Sequence, residues 1–353
     1  MRVPVWLGHP VVTQASINIG LLQQPSLAAT IAIVFSVVVG PFVIRLLRLR
    51  LRERIASDSA TLNALHASKR QTPTMGGILI LLAFIAGLLI TNRSSAKSTI
   101  MISLTALTLC LVGAIDDWIK ATTTRKGLTV RQKLAAQTTI ALMIAACLYF
   151  FRISPVNSRL SLFGWLPESI DWLYIPWAAF VIISASNAVN LTDGLDGLAA
   201  GCTTITALAT TVILVARISS GGDSENLMIA ATSSAALAGS TAGFLWFNRF
   251  PAQVFMGDAG SLPIGGVLAI IALISGTELL LLLTGAVFVA ETVSVLMQVF
   301  WFRRTGRRIL LCSPLHNHFV FQKVPETKIV KWFWLTAATT AIFATVLVIA
   351  GAI

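Results

Sequence analysis

The stretch NAVNLTDGLDGLAAG, residues 187–201, lies between two runs that are each apolar enough to cross a bilayer. It carries Asn187, Asn190, Asp193 and Asp196 together with Gly194, Gly197 and Gly201. Carboxylates at membrane depth are costly and seldom incidental. The runs on either side decide the fold class, and the aspartates between them require a function.

Outward from this stretch, the chain of 353 residues is 56% hydrophobic and only 11% charged, with a mean hydropathy of +0.83. A soluble surface needs far more charge. Apolar runs of about 20 residues, the length a helix needs to span the hydrocarbon, recur along it. Ten candidate spans are expected, near 26–47, 75–92, 98–115, 133–151, 172–190, 198–217, 228–247, 263–276, 278–302 and 332–353, with a kink at Pro41. The expectation is an all-α polytopic integral membrane protein forming one domain over residues 1–353. Cys110, Cys147, Cys202 and Cys312 lie far apart with no CxxC spacing and read as packing residues. The first 25 residues lack a charged start followed by an apolar block, so no cleavable signal peptide is expected.

Lysine and arginine set the orientation. The side holding loops 1, 3, 5, 7 and 9 takes 20 of the 26 basic residues, so it is expected to be cytoplasmic, with both termini outside. The net charge of +12 then belongs to the cytoplasmic face. There it serves topology and anionic-lipid contact, and a focused part of it can attract an anionic substrate.

Five of the 14 carboxylates, Asp116, Asp117, Asp193, Asp196 and Asp258, fall in three of these loops, at span ends. Lys69, Lys120 and Lys133 sit at comparable depth. Oxygen ligands suit Mg²⁺, which is held by one or two carboxylates plus substrate phosphates. Lysines act as point charges on phosphate, and glycines let backbone N–H groups approach it. No GxxxxGK[ST] loop is present. The chemistry suggested is phosphoryl transfer on a metal-bound diphosphate at the membrane face.

Each motif also has a plainer account. Asp116 and Asp117 could be helix-surface partners of Lys120. Asn187, Asn190 and Asp193 would share a helical face, or could cap a helix start. MGDAG is a weak turn signal, and HNH in a membrane loop carries no nuclease meaning. The placement of all five loops on one side favours a common site.

TPTMGG (72–77), DDWIK (116–120), NAVNLTDGLDGLA (187–199), FMGDAGS (255–261) and SPLHNHF (313–319) also occur together in a known order. From about Arg45 to its end, the chain closely resembles the phospho-N-acetylmuramoyl-pentapeptide-transferase family, within the superfamily of polyprenyl-phosphate N-acetylhexosamine-1-phosphate transferases. The resemblance implies an active site in the cytoplasmic loops of a multi-pass protein of the bacterial inner membrane. It implies transfer of phospho-MurNAc-pentapeptide from UDP-MurNAc-pentapeptide to undecaprenyl phosphate, giving lipid I and UMP for peptidoglycan, with Mg²⁺ as cofactor.

By the same resemblance, Asp258 is the magnesium ligand, Asp116 and Asp117 the catalytic pair, and Lys120 and Lys133 the lysines near the phosphates. Asn190, Asp193, Asp196, Lys69, Gly194, Leu195, Asn248 and Thr74 belong to the nucleotide side, where Phe255 stacks on uracil. His316 and His318 match the first and third positions of a three-histidine motif, and His316 is counted with the catalytic groups. Asn317 stands where the family has a middle histidine. Asn cannot carry a proton, so a contact with sugar or peptide is expected of it. Whether Asp116 acts as a base or a positioning group stays open, because a phosphate monoester, with a second pKa near about 6, is already largely dianionic at pH 7. The partners implied are the two substrates and the bilayer. Nucleic acid is not among them, and a homodimer is admitted.

Two other readings compete. One is a superfamily relative using UDP-N-acetylglucosamine. The other is a transporter, which would place ionisable groups at mid-depth. Glu291 is the exception to otherwise uncharged spans, and it could mark a helix break or pair with a lysine on the cytoplasmic side.

Overall fold

The computed structural model describes residues 19–50, 72–91, 96–153, 172–222 and 224–351. The described chain is helical. The helices are α1 (Gln23–Arg50), α2 (Gly77–Thr91), α3 (Ala96–Thr122), α4 (Val130–Phe150), α5 (Tyr174–Thr192), α6 (Leu198–Ser219), α7 (Ser224–Asn248), α8 (Asp258–Ser275), α9 (Glu278–Thr284), α10 (Ala286–Thr305), α11 (Leu315–Phe321) and α12 (Glu326–Ile349). Among the described residues nine helices are long and apolar enough to cross a membrane, and α2, with 15 residues, is a shorter apolar helix. Each of the ten expected spans therefore has a helix. α1 runs through Pro41 without interruption.

Two expectations are corrected. The span expected at 278–302 is split at Gly285 into α9 and α10. Thr206 of α6 donates its hydroxyl to the Thr284 carbonyl at 2.8 Å, so that carbonyl has a partner outside its own helix at the point where the ladder stops. The span expected from 263 starts at Asp258, because Gly257 with φ +70° turns the chain directly into the helix. Pro263 lies inside this helix and does not begin it.

α8 is the axis of the bundle, and all of its residues are buried. Small residues in its first half (Ala259, Gly260, Gly265, Gly266) let neighbouring backbones come close, which is how helices associate when lipid supplies no hydrophobic drive. α2, α3, α5 and α7 surround it. On the outside, α1, α4, α10 and α12 expose broad apolar faces, with Phe42, Leu49, Met143, Leu296, Phe300, Leu335 and Ile342 all more than half exposed. That arrangement, apolar on the perimeter, suits a hydrocarbon solvent. The polar residues of the candidate site lie toward the C-terminal ends of α3 and α5 and the N-terminal ends of α4 and α8.

Candidate active site

Asp258, the first residue of α8, is the hub. Its Oδ2 accepts from Lys133 Nζ at 2.6 Å and Lys120 Nζ at 3.0 Å, and its Oδ1 accepts from Asn190 Nδ2 at 2.7 Å. An acidic residue in a first helical turn is favoured by the exposed N–H groups there. Lys133 falls in the first turn of α4 because a capping box between Thr129 and Gln132 starts that helix.

Lys120 lies one turn after Asp116 on α3. Its ammonium meets Asp116 Oδ2 at 2.6 Å and lies 3.6 Å from Asp117 Oδ1. The helix-surface pairing anticipated from spacing is therefore present, and the same ammonium also crosses to Asp258. Asp117 Oδ2 accepts the Ala259 N–H at 3.0 Å, tying α3 to the first turn of α8. Asp116 Oδ1 accepts the Leu128 N–H at 2.7 Å.

Asp116, Asp117 and Asp258 are all buried, and one ligand oxygen from each lies within 4.8 Å of the others. Three carboxyl groups face two ammoniums in a region of low dielectric, where their mutual interactions are strong. Hard oxygen donors this close suit a divalent cation such as Mg²⁺.

The other loops close around this centre. Residues 73–77 pair with 254–256: the Phe255 N–H donates to the Pro73 carbonyl, the Gly76 N–H to the Phe255 carbonyl and the Gly77 N–H to the Met256 carbonyl. Thr74 is buried beside Gly257, where a side chain would collide with the Asp117 carboxylate. Phe255 is half-buried in this extended segment.

Asn187, Asn190 and Asp193 of the opening stretch close α5, whereas the N-cap of α6 is Gly197. Asn187 and Asn190 are in the last turns, and Asp193 ends the helix by donating its N–H to Val189 and Asn190. The turn that follows is held from three directions. Asp196 Oδ2 accepts the Ala252 N–H at 2.9 Å, and Asn248 Oδ1 accepts the Gly197 N–H at 3.0 Å. Glu326 Oε1 accepts the Asp196 N–H at 2.7 Å. Leu195 is buried and Gly194 is exposed. The structure thus gives Asp196 and Asn248 a loop-tying role in addition to their expected place by the nucleotide.

His316 is buried, and its Nε2 edge lies against Gly194. Its partner is Glu291, not the lysine considered for that carboxylate, and Glu291 lies six residues past the helix break rather than at it. His318 engages its own loop: Nδ1 accepts the Leu311 N–H, and Nε2 lies 3.1 Å from Gln322 Nε2. Asn317 is half-buried and donates its backbone N–H to Pro314. Lys69 lies outside the described residues.

Sequence reading missed Ser261, which accepts from Asn190 Nδ2 at 2.9 Å and sits one turn after Asp258. It also missed Gly113, packed on the Asp258 backbone. A hydroxyl and a glycine each within three or four residues of a chosen aspartate on one helix were the available signals.

The family model for glycosyl transferase family 4 matches residues 99–276, and the phospho-N-acetylmuramoyl-pentapeptide-transferase signature 1 matches residues 69–81. The chain is 40% identical to a phospho-N-acetylmuramoyl-pentapeptide-transferase of Heliobacterium modesticaldum, over 91% of this chain and 96% of that protein. It is 37% identical to one of Desulfitobacterium hafniense, over 92% and 98%. A third, from Protochlamydia amoebophila, is 36% identical over 90% and 91%. Signature, length and loop chemistry agree, and the chain belongs to the phospho-N-acetylmuramoyl-pentapeptide-transferase family of multi-pass membrane proteins.

Proposed function

We propose that the protein transfers phospho-MurNAc-pentapeptide from UDP-MurNAc-pentapeptide to undecaprenyl phosphate at the cytoplasmic face of the bacterial inner membrane. The observation that carries the reading is the Asp116–Asp117–Asp258 cluster bridged by Lys120, with Lys133 also on Asp258. An acceptor phosphate oxygen attacks the sugar-linked phosphorus, the bond to the UMP oxygen breaks, and UMP leaves with that electron pair. Asp258, with Asp116 and Asp117, would hold Mg²⁺. When bound, the ion neutralises charge on the diphosphate and on the transferring group.

The protein's own groups supply position and charge. Lys120 and Lys133 are aimed into the centre by Asp258 and can exchange a carboxylate contact for a phosphate contact. Both oxygens of Asp116 are engaged, one by the Leu128 N–H and one by Lys120. The acceptor phosphate is already largely dianionic at pH 7. Asp116 is therefore assigned an orienting role in preference to proton abstraction. The test is UMP release from UDP-MurNAc-pentapeptide by the purified protein. Release should require both polyprenyl phosphate and Mg²⁺, and UDP-N-acetylglucosamine should not substitute. Equal turnover with that second donor would move the protein to the other branch of the superfamily.

Phe255 is proposed to stack on uracil. Base–aromatic stacking is worth roughly 1–3 kcal/mol, so Phe255→Ala should raise the KM for the nucleotide donor by about one to two orders of magnitude. A loss confined to the lipid acceptor would place the base elsewhere.

Asn317 is proposed to contact substrate without moving a proton. Asn317→His should be tolerated, and Asn317→Ala should cost about 1–3 kcal/mol through an unpaired polar partner. His316→Ala should be worse than either. Steady-state kcat and KM from pH 6 to 9 decide the matter. A large kcat gain in Asn317→His, with a new ionisation near about 6.5, would overturn the contact role.

A further inference from the structure

Glu291 is wholly buried in α10, a helix whose outer faces are apolar. A carboxylate in that position is costly and needs partners. Its Oε1 has two, both on one residue: the His316 backbone N–H at 3.2 Å and His316 Nδ1 at 3.2 Å. Its Oε2 has no hydrogen-bond partner among the described residues. The site lysines Lys120 and Lys133 are turned to the aspartates.

A group needed only to tie the His316 backbone would be served by an amide or hydroxyl, at less desolvation cost. What the carboxylate adds is a full negative charge behind one edge of an imidazole. Nδ1 facing a carboxylate must carry its proton, which fixes the ring's orientation and tautomer. The opposite edge then has a defined direction. His316 Nε2 meets Gly194, and any side chain at residue 194 would collide with it. Gly194 is exposed at the turn between Asp193 and Asp196. The imidazole is therefore held between a buried charge in the helix bundle and the turn assigned to the donor side.

We infer that Glu291 is a positioning residue for the donor: it locks His316 with Nδ1–H toward α10, so that the Nε2 edge is held against Gly194 and fixes the turn that meets the nucleotide-sugar diphosphate. This rests on the transfer reaction proposed above.

The experiment uses the full-length protein in lipid nanodiscs, with UMP release as readout. Wild type must first release UMP with both substrates, and its failure to do so would count against the reaction itself. Glu291→Gln keeps size and the backbone contact but removes the charge. It should lower kcat at least about tenfold, within the range known for carboxylates that orient an imidazole, and raise the donor KM, while the KM for polyprenyl phosphate stays within about twofold. In a His316→Ala background the same substitution should change kcat by less than about twofold, because its only route of action is gone. Gly194→Ala, on an exposed turn with Glu291 intact, should reproduce the donor-side pattern by displacing Nε2. The inference is overturned if folded Glu291→Gln keeps wild-type kcat, or if its effect is undiminished without His316. Should Glu291→Gln not fold, wild-type donor kinetics in Gly194→Ala overturn it alone.

Discussion

Asp258→Asn is expected to lower kcat by about 10³-fold or more, the scale on which a charge aimed at a transferring group is lost. In the native site Asp258 takes two ammoniums on Oδ2 and an amide N–H on Oδ1. An asparagine can turn an acceptor to only one side. Its NH₂ would face either the lysines or Asn190, donor against donor. The centre also loses the charge that balances Lys120 and Lys133 and that would hold Mg²⁺. The α8 N-terminus keeps its tie to Asp117 through the Ala259 N–H, so the fold should survive. The measurements are UMP release across a Mg²⁺ titration and thermal unfolding of the same preparation. Near-normal turnover at ordinary Mg²⁺ in the variant would refute the assignment.

Gly113→Ala is expected to disable the protein nearly as thoroughly, by packing alone, because residue 113 is buried between α3 and the start of α8. A methyl group there would drive into the Asp258 carbonyl and the Ala259 nitrogen. These are backbone atoms at the start of a fully buried helix, and they cannot swing aside as a side chain would. The first turn of α8 has to move away from α3, and Asp258 moves with it, away from Asp116 and Asp117. A misplacement of about 1 Å costs on the order of 10²-fold in rate, and overpacking costs typically about 1–3 kcal/mol of stability. Wild-type activity with an unchanged unfolding temperature would show that α3 and α8 are not rigidly packed.

Much of the site was legible in the sequence for a simple reason. In a chain with so few charges, five aspartates and three lysines at span ends stand out as candidates for a common site. Lys120 and Lys133 were chosen on that ground, and both reach Asp258. Glu291 stood out as a charge inside a span, but its partner did not, because a separation of 25 positions gives no spacing rule that joins it to His316. His318, chosen with His316 by motif, is held by its own loop.

The amino-acid sequence by itself determined the class and the material of the site. Apolar runs of bilayer length leave no other solvent for the helices, and the five polar loops hold the candidate site residues. Only the tertiary structure decided how those groups meet. The break at Gly285 depends on a hydroxyl from α6, which no local pattern records. The start of α8 at Asp258 depends on Gly257 adopting a positive φ beside Asp117. The bridging of three carboxylates by Lys120, and the reach of Lys133 and Asn190 to Asp258, depend on α3, α4, α5 and α8 converging at one end of the bundle. Helix period and span length are local properties, set by 3.6 residues per turn and the thickness of hydrocarbon. The meeting of side chains from distant segments is set by close packing of small residues around α8, and that information is spread over the whole chain.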